Sequence, residues 1–205
     1  MPSQAKSHQN ENLKIIEKEI GPHSFTPDQF ELVKSVVAST ADFEYAQSMT
    51  FHPIAVAAGM AAIRAGADIV TDTQMVAVGI PKSLLAKTGG SVWCLTSDND
   101  VVEKSRELQL PREVIAMRKA ADECKGAIYV VGSSPEALSE LIRLVQDGSA
   151  KPSLIVGVPV GFHAAFESKE QLLNLSIPFM TCRGRKGGCL VAVAIIETLS
   201  SLTVR

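Results

Sequence analysis

The chain opens polar and turns apolar in a helical rhythm. Residues 1–11 read as a mobile arm, and the folded domain spans 12–205, starting where NLKIIEKEI places apolar residues at helical spacing. Gly21 and Pro22 break that segment. Thr26-Pro27-Asp28 then forms a helix start, with Thr26 as cap and Pro27 in the first turn. The spacing predicts a helix to about residue 40, with Phe30, Val33, Val36 and Val37 inside. After a polar link, Pro53 opens an alanine-rich helix, IAVAAGMAAIRAG, which Gly66 stops. A short strand over 68–71 ends at Asp72, and SVWCLT (91–96) is a second strand. Helices are expected over 98–108 and 112–123.

From residue 126 the pattern is plain. GAIYVVG is a buried strand, and Ser134-Pro135-Glu136 caps a helix to about Gln146. SLIVGVPVG is a strand followed by a helix from about 164. IPFMTCRG is a strand followed by a glycine link and a long apolar helix over 188–202. The strands are continuous apolar runs and alternate with helices at short spacing. Both features predict a single α/β domain with a mostly parallel sheet and helices on both faces. Ligands in such sheets sit at the carboxyl ends of the strands. That places Thr71–Thr73, Gly132–Ser134, Val158–Phe162 and Cys182–Gly188 on one rim.

Composition narrows the function. In 205 residues, 20 Lys and Arg stand against 22 Asp and Glu, a net charge of −2, which excludes a nucleic-acid binder relying on bulk positive charge. Aromatics are too sparse, at 5 %, for a single-strand stacking platform. No apolar run reaches the length of a membrane span, and MPSQAKSHQNEN lacks the apolar stretch of a signal peptide. Cys94, Cys124, Cys182 and Cys189 show no metal-binding spacing and read as reduced thiols in a cytoplasmic protein.

Four segments could carry chemistry. Arg183-Gly184-Arg185-Lys186-Gly187-Gly188 joins a buried strand to an apolar helix. Its cations, glycines and helix N-terminus suit an anionic ligand, although a solvated glycine hinge would look similar. It is neither a Walker loop nor a dinucleotide fingerprint. In GVPVGFH (157–163), Gly161 and Phe162 follow a strand end where backbone can approach a ligand, or simply turn. Asp42, Glu44 and His52 could serve acid–base work if buried, or merely end and cap helices. Arg112 begins a helix, where the dipole disfavours a cation, unless it meets an anion or a neighbouring subunit. No nucleophilic triad, metal cluster or phosphate loop is present, so the residues read as a receptor for a polyanionic small molecule.

TADFEY, FHPIAVAAGMAAIRAGADIVTDTQMVAVGI, GVPVGFHAAFESK and PFMTCRGRKGG together resemble the precorrin-8X methylmutase family, cobalt-precorrin-8 forms included, over roughly residues 12–202. The resemblance implies a cytoplasmic α/β homodimer of cobalamin biosynthesis with sites near the subunit interface. It implies an isomerase that moves a methyl group from carbon 11 to carbon 12 of precorrin-8X or cobalt-precorrin-8, assisted by protonation. The corrinoid product would be hydrogenobyrinic acid or its cobalt form, and no nucleotide, redox or metal cofactor is implied. The many carboxylates of that substrate agree with an arginine-rich rim, and the alanine-rich helix could line an apolar cleft for its ring. By resemblance, substrate-site candidates are Ser39, Thr40, Asp72, Met75, Arg112, Gly161, Phe162, Glu167, Ser168, Arg183, Gly184, Gly187 and Gly188, with Lys169 completing the ESK motif. Arg112 falls where the family places an arginine near the partner subunit's substrate.

One position departs from the pattern. Ala38 stands where the family typically has the histidine proposed as proton donor, and alanine cannot transfer a proton. Losing a general acid costs about 10²–10⁴-fold in rate and can spare binding. Three readings stay open: a substituted variant, a divergent enzyme with another donor such as His52 or none, or a protein that binds a corrinoid without turnover. The run PREVIA around Arg112, in place of a Thr-Arg-Ser-Ala-Ala type run, favours divergence.

Overall fold

A computed structural model describes residues 2–204. Its strands are β1 (Met49–Phe51), β2 (Ile69–Thr71), β3 (Val92–Trp93), β4 (Ile128–Val131), β5 (Leu154–Gly157) and β6 (Phe179–Cys182). They form one sheet among the described residues, in the order β1-β6-β5-β4-β2-β3, with β1 antiparallel to β6 and every other pair parallel. Without β1, the parallel strands follow the 2-1-3-4-5 order of doubly wound sheets, whose direction of winding switches between β2 and β4.

The helices are α1 (Pro2–Ile20), α2 (Pro27–Thr40), α3 (Tyr45–Ser48), α4 (Ala55–Arg64), α5 (Gln74–Gly79), α6 (Lys82–Leu85), α7 (Asn99–Leu108), α8 (Arg112–Glu123), α9 (Pro135–Gln146), α10 (Ala164–Leu172) and α11 (Cys189–Thr203). Helices α2, α4 and α11 cover one face of the sheet, and α8, α9 and α10 the other. Successive strand residues feed opposite faces. In β4, Ile128 and Val130 join the first core while Tyr129 and Val131 join the second. In β5, Leu154 and Val156 join the first and Ile155 the second. The strands are apolar throughout because both faces are covered, and the expected single α/β domain is the fold observed.

Local chemistry sets the helix starts. Thr26 accepts the Gln29 backbone N–H at 3.4 Å, and the Gln29 side chain accepts the Thr26 N–H at 3.0 Å, a complete capping box. Ser134 accepts from the Ala137 N–H at 3.1 Å ahead of α9.

Several elements differ from the expectation. Helix α1 begins at Pro2, although the apolar spacing starts only at residue 12. Once a helix is nucleated, each further polar residue adds one backbone hydrogen bond without needing an apolar face. The stretch read as a polar link contains α3 and β1. Strand β1 pairs on one side only and has three residues, so it shows no apolar run. The strand expected over 91–96 shrinks to Val92–Trp93 followed by a 3-10 turn at Leu95–Ser97, because β3 is also an edge. Helices α5 and α6 are too short for a readable period.

Helix α4 packs one side into the core. Its small residues seat it against the sheet and α11: a Cβ on Gly59 would lie 2.6 Å from Leu199 Cδ2 and 2.9 Å from Leu154 Cδ2. Ala55 and Ala62 are buried in that packing, whereas Ala57 and Ala61 stay exposed on the opposite side of the helix.

Candidate active site

The loop after β6 is the most heavily fastened segment of the rim. The Arg183 N–H donates to Ser48 O at 2.8 Å, which ties its start to α3. The Gly161 N–H donates to Arg185 O at 3.0 Å and the Gly188 N–H to Val158 O at 2.7 Å. The two glycine-bearing loops set out separately in the sequence are therefore one structure. Gly187 shows why this position carries no side chain. Its φ is 153°, and a Cβ would lie 2.2 Å from Val158 O.

Lys186 fastens the loop to the end of α2. Its Nζ bonds Asp42 Oδ2 and lies 2.8 Å from Glu44 Oε2. The Lys186 ammonium, with the Glu44 backbone N–H second, holds the Asp42 carboxyl below the usual carboxylate range. Asp42 and then Glu44 hold the Lys186 amine above its usual value. Tyr45 donates its hydroxyl to Gly187 O at 3.4 Å, and burial pushes that phenol up to about 12.

Of the three cations in the loop, Lys186 is thus taken up internally. Arg183 and Arg185 are exposed and have no carboxylate partner among the described residues. The Arg185 guanidinium sits 5.4 Å above the Phe162 ring. Phe162 is 82 % exposed, so a large apolar side chain stands out beside the cationic loop; Met75, on α5, is 72 % exposed as well.

Ala38 lies on the exposed side of α2, in its last turn. A groove of about 400 Å³ between α1, α2 and α11 runs past it, lined by Glu31, Ser35, Ser39, Glu197, Thr198 and Ser201 among others. A second hollow, of about 230 Å³, lies on its other side against Ile15, Ile16 and Phe43. The surroundings of Ala38 are therefore hydroxyls and two carboxylates with an apolar flank, not the wide apolar cleft expected.

Other expected site residues are placed as follows. Asp72 is fully buried at the end of β2, where the winding of the sheet switches. Its Oδ1 accepts the Gly132 N–H at 3.1 Å, and its Oδ2 accepts those of Ser133 and Ser134, each at 2.7 Å. Burial pushes this carboxyl up while those N–H donors pull it down. Both oxygens are occupied, so the carboxylate holds the Gly132–Ser134 turn. The Ser168 hydroxyl is buried and donates to Ala165 O within its own helix at 3.2 Å. Thr40 donates to Val36 O at 2.8 Å, also within its helix. Glu167 is exposed, 3.2 Å from His163 Nδ1. Gly184 takes a φ of 83° at the exposed turn between the two arginines.

His52 is not near this loop. Its backbone N–H donates to Phe179 O at 2.9 Å, and its ring lies edge-on to Phe179 at 5.6 Å. Phe179 begins β6 and the Arg183 loop follows its end, so roughly 10 Å of strand separates them. Arg112 is also apart. Helix α8 packs on α9 and on the turn after β3, whereas Arg183 follows β6. Strands β3 and β6 are four spacings, roughly 19 Å, apart in the sheet. One chain does not gather Arg112 and Arg183 at one point.

Two residues take roles that their motifs alone do not define. Tyr45 closes the TADFEY motif, and only the fold brings its hydroxyl to the loop. Lys169 is 1 % exposed beneath the loop, and the sequence carried a sign of it. Ala165, Ser168, Lys169 and Leu172 fall on one stripe of α10, which sets a lysine among inward-facing positions.

The sheet order defines a doubly wound α/β protein, with a cationic, glycine-rich loop at the carboxyl ends of its strands. The sequence profile of precorrin-8X methylmutase matches residues 9–202. A cobalt-precorrin-8 methylmutase of Priestia megaterium is 46 % identical over 97 % of this chain and 88 % of its own. A precorrin-8X methylmutase of Pseudomonas aeruginosa is 35 % identical over 85 % of this chain and 84 % of its own. The solved precorrin-8X methylmutase of Thermus thermophilus superposes with a TM-score of 0.89 at 34 % identity, covering 97 % of this chain and 98 % of that one. The chain belongs to the precorrin-8X methylmutase family.

Proposed function

We propose that the protein is an isomerase of cobalamin biosynthesis that moves a methyl group from carbon 11 to carbon 12 of precorrin-8X or cobalt-precorrin-8. The carbon 11–methyl bond breaks as the carbon 12–methyl bond forms, so atoms and electrons balance within one molecule and no co-reactant is required. The observation that carries the reading is the loop Arg183–Gly188. It is fastened at several points, yet leaves two guanidinium groups without carboxylate partners. Fixed guanidinium forks are suited to peripheral carboxylates. Phe162 offers exposed apolar surface against Arg185 for a macrocycle.

A groove of about 400 Å³ beside Ala38 is at the low end of the roughly 300–1,000 Å³ of ordinary ligand sites, and Arg112 does not line it. Both features favour a homodimer in which a second copy closes the site and brings its Arg112 to the substrate; the family's biosynthetic role favours the cytoplasm for it. The direct test mixes the protein with precorrin-8X and follows the absorbance change to hydrogenobyrinate. Conversion supports the reading; none at high enzyme concentration defeats it.

Ala38 favours a second reading, a protein that holds the corrinoid without turning it over. No proton donor stands at that position, and His52 is at the other end of β6. Ala38→His separates the two. An imidazole placed there would share the groove with Glu31 and Glu197, whose negative charge favours its protonated form. A rate gain of about a hundredfold identifies an otherwise intact enzyme. Retained binding with no gain identifies a binder.

A further inference from the structure

Lys169 is a long cationic side chain buried to 1 % exposure, with no carboxylate within ion-pair distance among the described residues. Its partners are unusual for a lysine. Nζ donates to the backbone carbonyl of Lys186 at 2.6 Å and lies 3.8 Å from Cys182 Sγ. The Cys182 thiol in turn donates to the same carbonyl at 3.1 Å. Two buried donors on different elements, α10 and the end of β6, thus converge on one oxygen in the middle of the cationic loop. Burial without a counter-ion is costly and is kept only where something in the structure requires it. Desolvation lowers the amine from its usual value, and burial raises the thiol.

The consequence for the loop is geometric. Lys186 O is held from beneath by Lys169, while Lys186 Nζ is held from outside by Asp42 and Glu44. Lys186 is therefore clamped at both its backbone and its side chain. Arg185 precedes it directly and Arg183 lies three residues before it, so the clamp limits where both guanidinium groups can point.

We infer that Lys169 is a positioning residue for the anion-binding loop, its buried amine fixing the Lys186 carbonyl so that Arg183 and Arg185 are presented in one orientation. The inference rests on the proposed function only for what the loop binds; the fixing of the loop stands separately. The amine touches no reacting atom and acts through the backbone it holds.

Loop fixing is tested on the free protein with trypsin, because Arg183, Arg185 and Lys186 are themselves cleavage sites. In Lys169→Met, which keeps the length and apolar stem, cleavage at these three positions is expected to rise about tenfold while cleavage elsewhere is unchanged. Unchanged cleavage at the loop overturns the inference. So does equal acceleration at every site, because that is general destabilisation. If Lys169→Met does not fold, Lys169→Gln, which keeps a neutral donor on a shorter stem, is cleaved in its place. Faster cleavage at the loop alone is expected, because the shorter amide does not reach the Lys186 carbonyl, and unchanged cleavage there overturns the inference.

The corrinoid arm uses hydrogenobyrinic acid as the probe. A positioning role predicts weaker binding by about tenfold in Lys169→Met, and little further loss when Arg183→Ala is added, because both act through one loop. Full additivity overturns it. A wild-type protein that ignores hydrogenobyrinic acid would sink the proposed function alone, and the cleavage pattern would still judge Lys169.

Discussion

Asp72 Oδ2 accepts the Ser134 backbone N–H at 2.7 Å, which joins the end of β2 to the start of α9 across the point where the sheet reverses its winding. Doubly wound sheets leave a crevice there, open to ligands. Here the protein's own carboxylate fills it. The anion that the α9 N-terminus would attract is supplied from within.

Asp72→Asn tests this directly. An amide keeps one acceptor oxygen and turns an NH₂ toward N–H donors, so at least one buried donor loses its partner. The expected cost is about 2–4 kcal/mol of stability, read as a lower urea midpoint at unchanged slope. Corrinoid affinity, measured well below that midpoint, should change little, since neither Asp72 oxygen is free to meet a ligand.

The clamp between Lys186 and Asp42 has a defined pH window. Asp42 is held below its ordinary value of 3.8, so its contribution is present above that pH and lost as pH falls through the lower folded value. Lys186 is held above its ordinary 10.5, so its contribution is present below that pH and lost as pH rises through the higher folded value. Amide exchange of segment 184–188, corrected for intrinsic rate, should therefore be flat from about pH 5 to 9. It should speed up only in strong acid or base. Asp42→Asn should shrink the acid limb to what Glu44 supplies and loosen the loop at neutral pH.

Two glycines make opposite predictions. Gly187→Ala sets a Cβ against the backbone carbonyl of Val158, which cannot swing away, at a positive φ. The loop must move, so corrinoid binding should fall by about tenfold or more with a modest effect on unfolding. Gly59→Ala sets its Cβ against the flexible ends of Leu199 and Leu154 in the core. It should cost about 1–3 kcal/mol in denaturant unfolding and leave binding nearly intact. Equal effects of both variants on binding would contradict the separation of core from loop.

The elements legible in the sequence were those whose burial is strong and local. Strands β4, β5 and β6 are covered on both faces and read as continuous apolar runs, while α2 and α9 carry their caps in the residues themselves. Strands β1 and β3 were hard to read because an edge strand needs only a partner's backbone and few apolar side chains. The loop residues Arg183 to Gly188 stood out by composition. Their fastening did not, because Tyr45, Lys169 and Val158 reach them from distant parts of the chain. The resemblance marked Asp72 as a ligand contact, and only the fold shows three N–H groups already on it.

The separation of Arg112 from Arg183 gives the sharpest test of the proposed assembly. If each site takes Arg183 from one chain and Arg112 from its partner, Arg112→Ala and Arg183→Ala are each defective alone, since every site in either homodimer lacks one arginine. Unfolding the two together and refolding them as a mixture makes about half of the dimers mixed, and each mixed dimer holds one complete site of its two. About a quarter of the wild-type sites should then return, read as turnover of precorrin-8X or, for a binder, as bound hydrogenobyrinic acid. Arg112 and Arg183 acting within one chain would leave the mixture no better than its parents, because every chain carries one defect. A monomer by sedimentation at working concentration would give the same result and would remove the second copy from the proposal.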